Sequence, residues 1–168
     1  AELYARRGEY EKGEALARKA LAADMYDPAA NYIYGVISRR LGKKTDAKET
    51  FGWASRSPEF RSAASVQLAE IALLEKDFAR AEEYARKAIN SDAFSSSAYE
   101  VLIAALRMQK KTAEAEAAVT RLLDLDPLDH QARFERYLLS GKSDDVKAFQ
   151  TEIRNELPRE TYLESALF

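Results

Sequence analysis

The stretch GKKTDAKETFGWA, residues 42–54, places a glycine, an alanine, a phenylalanine and a second alanine at intervals of five, four and three. The spacing recurs. Steps of 34 residues from Gly8 reach Gly42, Lys76 and Lys110, and each opens a short polar turn: GEYEKG, GKKTDA, KDFARA and KKTAEA. Five residues on stand Gly13, Ala47, Ala81 and Ala115, and seven beyond those stand Ala20, Ala54, Ala88 and Leu122. A fixed period of this length, held through four copies without a gap, marks a repeat array.

Each copy reads as two helices. EYEKGEALARKAL, DAKETFGWA, FARAEEYARKAI and TAEAEAAVTRLL carry small or apolar residues at helical spacing. Between them lie AANYIYGVISRRL, SAASVQLAEIALL and SSAYEVLIAALRM. Asp27-Pro28, Ser57-Pro58 and Asp126-Pro127 each set a capping side chain before a proline suited to the first helical position. Thr45 and Thr112 are expected to cap second helices, and Gly8 and Gly42 to end first ones. No strand pattern is present. After residue 128 the period loosens: HQARFERYLLS reads as a fifth first helix, DDVKAFQTEIRNEL as its partner, and RETYLESALF as the start of another. A strict 34-residue count puts Phe149 where a small residue is expected, which marks this pair as divergent.

Composition bounds the function. The 168 residues are 46% hydrophobic and 32% charged, enough to bury a core. With 26 basic and 28 acidic residues, the net charge of -2 argues against a nucleic-acid or anionic-membrane surface. No apolar run approaches the ~20 residues of a membrane span. Without cysteine there are neither disulfides nor thiolate metal sites, and the compartment stays open, the cytoplasm being the default. His130 has no second ligand or nucleophile nearby in sequence, and no phosphate loop, G-x-S-x-G or H-E-x-x-H motif occurs. The carboxylate pairs Glu82-Glu83 and Asp144-Asp145 fall on outer faces or helix starts, where acidic residues serve solubility and the helix dipole.

A 34-residue helix-turn-helix with A-x3-F in its second helix resembles the tetratricopeptide repeat. Residues 28–61 match best: Asn31, Tyr34, Gly35 and Ser38 stand at the first-helix signature positions, and Ala47-x3-Phe51 matches outright. The resemblance implies a right-handed, all-α solenoid. Residues 1–127 would form four repeats, the first cut short, and residues 128–168 a divergent fifth pair and the start of a further helix. It also explains the opening stretch. Gly42 would end a helix, Ala47 would let two helices cross closely, Phe51 would fill the space between repeats, and Ala54 would admit the next repeat. The wording YDPAANYIYG, KETFGWASRS and RNELPRETYLESA is further similar to the repeat region of large bacterial proteins with a β-rich, carbohydrate-active-like N-terminal domain. On that reading the chain is an internal segment, truncated at both ends.

In this family first helices line a concave groove. The resemblance carries that role to Tyr32, Val36, Arg39 and Arg40, to Val66, Glu70 and Leu73, to Ser97, Glu100, Ala104 and Arg107, and to Gln131, Phe134 and Leu138. Aromatic anchors with arginine forks suit an extended peptide or a neighbouring domain. The carboxylate-clamp type needs Lys and Asn where Tyr32, Val36, Ala63 and Gln67 stand, which argues against chaperone-tail binding. Trp53, beside two core positions, is expected to pack between repeats rather than serve as a ligand platform, and Arg56 and Arg61 flank a turn where they could pair with acids or hold an anion. The expected function is a non-enzymatic scaffold for a protein, a peptide or another domain of the parent chain, with no nucleic acid, membrane, cofactor or metal. The alternative is an accessory helical module of a larger carbohydrate-active bacterial enzyme.

Overall fold

The computed structural model describes residues 1–142, 144, 147 and 149–151. Among them nine helices follow in order: α1 Glu2–Arg6, α2 Tyr10–Ala23, α3 Pro28–Arg40, α4 Lys44–Ala54, α5 Arg61–Leu74, α6 Phe78–Ser91, α7 Ser96–Met108, α8 Thr112–Leu125 and α9 His130–Ser140. Sequence neighbours are spatial neighbours, α3 on α4, α5 on α6 and α7 on α8, with each pair resting on the next. No strand occurs among the described residues. The fold is the all-α solenoid that the period predicts. Most of the expected partner of α9, and the helix expected from RETYLESALF, lie outside the described residues.

The small positions are where helices meet. Gly13 is buried, and Ala47, Ala81 and Ala115 are fully so. Ala54, Ala88 and Leu122 are equally closed, whereas Ala20 is exposed. Phe51 is fully buried within a cluster of Ala47, Ala54, Ala64, Leu68 and Ile71. Its ring comes up against Gly35 of α3. A Cβ on Gly35 would stand 2.7 Å from Phe51 Cε1, closer than carbon atoms tolerate. The glycine of the first helix and the phenylalanine of the second are thus one contact.

The turns repeat as faithfully as the core. Gly8, Gly42, Lys76 and Lys110 all take left-handed φ, at 75°, 74°, 62° and 61°. In each turn the next N–H reaches back five residues, Glu9 to Tyr4 O, Lys43 to Ser38 O, Asp77 to Ala72 O and Lys111 to Leu106 O, at 2.8–3.0 Å. This is the hydrogen bond that closes a helix behind a left-handed residue. The lysines therefore keep the turn glycine's geometry without its freedom from strain. Gly141 adopts the same conformation, with φ 66°, three residues before a 34-residue step from Lys110 would reach. The shortened α9 moves Phe149 out of the small-residue position. It is fully buried and stacks on Phe134 at 5.6 Å and on Tyr137 at 4.9 Å.

Helix starts depart from expectation at four places. Asp27 caps α3, accepting from Ala30 N–H at 2.6 Å. Asp126 does not cap α9; its side chain turns to Leu128 N–H at 2.9 Å, and Asp129 caps instead, through Ala132 N–H at 2.7 Å. Asp24 and Asp92 make the same local bond to Tyr26 and Phe94, an Asx turn that ends one helix and leads to the next. Ser57-Pro58 opens no helix, because α5 starts at Arg61. Proline at 58 would clash with the carbonyl of Ala54, so α4 ends there and a tight turn follows, Arg56 N–H to Trp53 O and Ser57 N–H to Ala54 O at 3.1 Å. Thr45 and Thr112 lie inside their helices, which begin after Lys43 and Lys111 without a side-chain cap.

Two substitutions should move stability in opposite directions. Lys110→Gly should raise it by about 1 kcal/mol by relieving the left-handed lysine. Gly35→Ala should lower it by about 1–3 kcal/mol, since the enclosed Phe51 ring has nowhere to move. Urea denaturation of both variants checks the pair of signs.

Candidate functional site on the first-helix face

Tyr32, Val36 and Arg40 come together. They line a cleft of 610 Å³ with Ala29, Ile33, Phe60, Tyr10, Ala5 and the pair Glu2 and Arg6. Tyr32 forms the floor, edge-on to Phe51 at 5.7 Å and tilted against Phe60 at 5.4 Å. Burial, then the charge of Glu70, pushes its hydroxyl up, with Arg39 opposing. Val36 packs on the Phe51 cluster from the same side. Arg40 is exposed, at the last turn of α3.

Two of the expected arginine forks are engaged within the chain. Arg39 Nη1 donates to Gln67 Oε1 at 2.6 Å and to Glu70 Oε2 of the same helix, α5. Arg107 grips Glu135 with both its Nε and Nη2, at 2.5 and 3.2 Å, and Glu135 is only 2% exposed. These bonds tie α3 to α5 and α7 to α9. Val66 is buried, packed with Ala88 and Ala98, and so does not line the face; small residues there let α6 and α7 close over it. Leu73 is partly buried against the main core cluster. Phe134 stacks on Phe149, while Ser97 and Gln131 are exposed and Ala104 and Leu138 half-buried.

Glu100 is different. It stands on α7, half-buried, with no hydrogen bond or ion pair among the described residues. Burial raises its carboxyl above the ordinary 4.5, and the nearby charges of Asp129 and Glu70 add to the rise. Glu82, on the outer side, shows the contrast. Burial pulls its carboxyl up, but hydrogen bonds from Lys111, Arg86 and Gln109 overcome it and bring the value down to about 2. Such a group stays ionised near neutrality and offers no proton to exchange. Among the described residues no group of three or more His, Asp or Glu side chains could hold a metal ion, and no helix is long and apolar enough to cross a membrane.

A family model described as tetratricopeptide repeat matches residues 1–51 and 39–98, together more than half the chain. The chain belongs to the tetratricopeptide-repeat family. Solved structures agree on the fold. PilF of Pseudomonas aeruginosa aligns with a TM-score of 0.80 at 18% identity, over 96% of this chain and 75% of that one. MamA from Desulfovibrio magneticus RS-1, residues 41 to the end, gives 0.76 at 20%, over 94% and 90%. YrrB, a repeat protein with an unusual peptide-binding site, gives 0.75 at 17%, over 98% and 87%. Comparison with curated proteins gives no match.

The tetratricopeptide pattern did not point to Phe60, the wall of the cleft. It shares a 34-residue register with Tyr26, Phe94 and Leu128, all exposed, so the count marks an apolar position but not that this copy of it turns inward to the cleft. Nor did it point to Gln67 and Glu135 as arginine partners, although both lie 28 residues after their arginines, a spacing visible on a second pass. Trp53 is half-buried on the surface, edge-on to Tyr26 at 4.9 Å, with the Arg56 guanidinium 3.9 Å from its ring centre. Tyr26 belongs to the α2–α3 connection, so this is packing between successive helix pairs. Arg61 donates to the Arg56 carbonyl at 3.2 Å.

Glu100 carries a measurable sign. The folded chain holds its proton more tightly than the unfolded chain does, so its contribution to stability is full below about 4.5 and lost as pH rises through the raised folded value. Glu100→Gln should therefore raise the melting temperature at pH 7 by a few degrees and lose that advantage at pH 4. Thermal unfolding at both values reads it directly.

Proposed function

We propose that this chain is a non-enzymatic scaffold that binds an extended peptide on its first-helix face. The cleft of Tyr32, Val36, Phe60 and Arg40 is the observation that carries the reading: an apolar hollow beside an exposed guanidinium, lined by α1, α2, α3 and the residue before α5. It has the make-up of an anchor pocket, aromatic walls with one polar handle. Family membership supports the scaffold role, and the likeness to YrrB, whose name specifies a peptide-binding site, supports a peptide as the ligand. We further propose that residues 1–127 comprise four repeats and that the shortened α9 opens a divergent fifth. Docking of another domain of a larger parent, including an accessory role beside a carbohydrate-active domain, would use the same face.

A random peptide library displayed on phage and panned against the chain should enrich a consensus with an apolar anchor. Val36→Asn should weaken the selected peptides at least about tenfold, as expected at an anchor pocket, with circular dichroism unchanged. Lys19→Ala, on an exposed position of α2, should leave them alone. No enrichment, or equal binding by Val36→Asn, would overturn the peptide reading.

A further inference from the structure

Charge is not spread evenly along the first-helix face. At the cleft the charged groups are Glu2, Arg6 and Arg40. Glu2 and Arg6 pair with each other at 2.5 Å, which leaves Arg40 without an ionic partner among the described residues. Further along, Glu70 is neutralised by Arg39, and Asp129 is committed to the start of α9. Glu100 between them has no cationic partner among the described residues. Arg39 bonds Gln67 and Glu70 across α3 and α5, and α5 packs on α7, so cleft and carboxylate lie on consecutive first helices joined to one another.

We infer that this face selects a bipolar peptide, with an acidic group beside an apolar anchor at the Arg40 cleft and a basic side chain at Glu100. The inference rests on the peptide reading above. Its argument is complementarity: the two unmatched charges, opposite in sign, sit at separate points of one groove, and each is left half-desolvated or unpaired until a ligand arrives. A basic side chain at Glu100 would relieve a carboxyl that burial and two neighbouring acids already disfavour. The spacing follows from the repeat. Arg40 and Glu100 lie on first helices two steps apart, about 20 Å at helix-packing distances. Arg40 corresponds to Met108 of α7, eight residues beyond Glu100, which adds about 12 Å along the helix direction. The diagonal is on the order of 23 Å, the reach of roughly seven extended residues.

The test uses the 168-residue chain and fluorescein-labelled twelve-residue peptides, read by anisotropy. One set carries Leu beside Glu and, about seven positions on, Lys; the matched set has Glu in place of that Lys; both are made in both chain directions. The Lys set should bind about tenfold more tightly, with the margin shrinking as salt rises. Glu100→Lys should reverse the preference, Glu100→Gln should abolish it without reversal, and Arg40→Glu should favour a third set in which Lys replaces the Glu beside the Leu. Circular dichroism checks the fold of each variant, and the conservative Gln variant keeps the test open if the reversal misfolds. Binding that depends on Val36 but shows no charge preference, or a preference untouched at Glu100, would overturn the bipolar ligand and leave the peptide reading standing. Failure of every designed peptide while the library still enriches a consensus would overturn the bipolar ligand alone, and failure of both would overturn the peptide reading as well.

Discussion

Everything in this fold depends on how closely two helices can approach within a repeat. Where Gly35 faces Phe51, the backbone of one helix is in contact with an aromatic ring from the other, and a single added methyl group would not fit. Ala47, Ala81 and Ala115 are the same constraint in successive copies, each fully buried. Small residues at the crossings bring the axes together, and the apolar residues around them then close over a continuous core. No helix pair could bury that core alone. Ala54 and Ala88 contribute by admitting the next pair, so stability is built from contacts between repeats as much as within them.

Between repeats, the polar contacts follow a longer period. Arg39 with Gln67 and Arg107 with Glu135 are the same pair of positions, 68 residues apart. At the intervening copy the positions are held by Leu73, packed on the main core cluster, and by Val101, a member of it. On the outer side Glu14 with Lys43 recurs as Glu82 with Lys111, again at 68. Lys48 occupies the place of those glutamates in the copy between and pairs with Glu75, inverting the sign. Because the sign alternates, a pairing displaced by one repeat would set Glu14 toward Asp77 in place of Lys43. Alternation therefore favours one register of stacking over a shifted one. Exposed pairs of this kind contribute little energy individually, and their value lies in specifying which repeat meets which.

The sequence made the architecture legible because the architecture is periodic. Gly8, Gly42, Lys76 and Lys110 could be found by counting, and all four adopt the same left-handed turn, whatever their side chain. The count failed where the period breaks. Pro58 ends α4 early by clashing with the turn behind it, and so Ser57 caps nothing. A shortened α9 brings Gly141 forward and gives Phe149 a stacking role in place of the misfit expected of it. Of the groove positions carried over from the family pattern, Tyr32, Val36 and Arg40 share a cleft. Arg39 and Arg107 are on the same helices but bound internally, because what decides their availability is a partner 28 residues away. Val66 is buried, because helical position alone does not reveal that the following helices close over it.

The irregularities and the cleft have one origin. A perfectly regular array presents the same surface at every step and so has no reason to hold a ligand at one place. Here α4 ends early, at Ala54, and Phe60, which keeps the 34-residue register of the exposed Tyr26, Phe94 and Leu128, is placed instead against the ring of Tyr32. The hollow exists because that turn departs from its copies. Arg40 lies beside it with no ionic partner among the described residues, where Arg39 one residue earlier is held by α5. A repeat fold thus acquires an individual site from its exceptions, with the regular positions supplying the rigidity that keeps those exceptions in place.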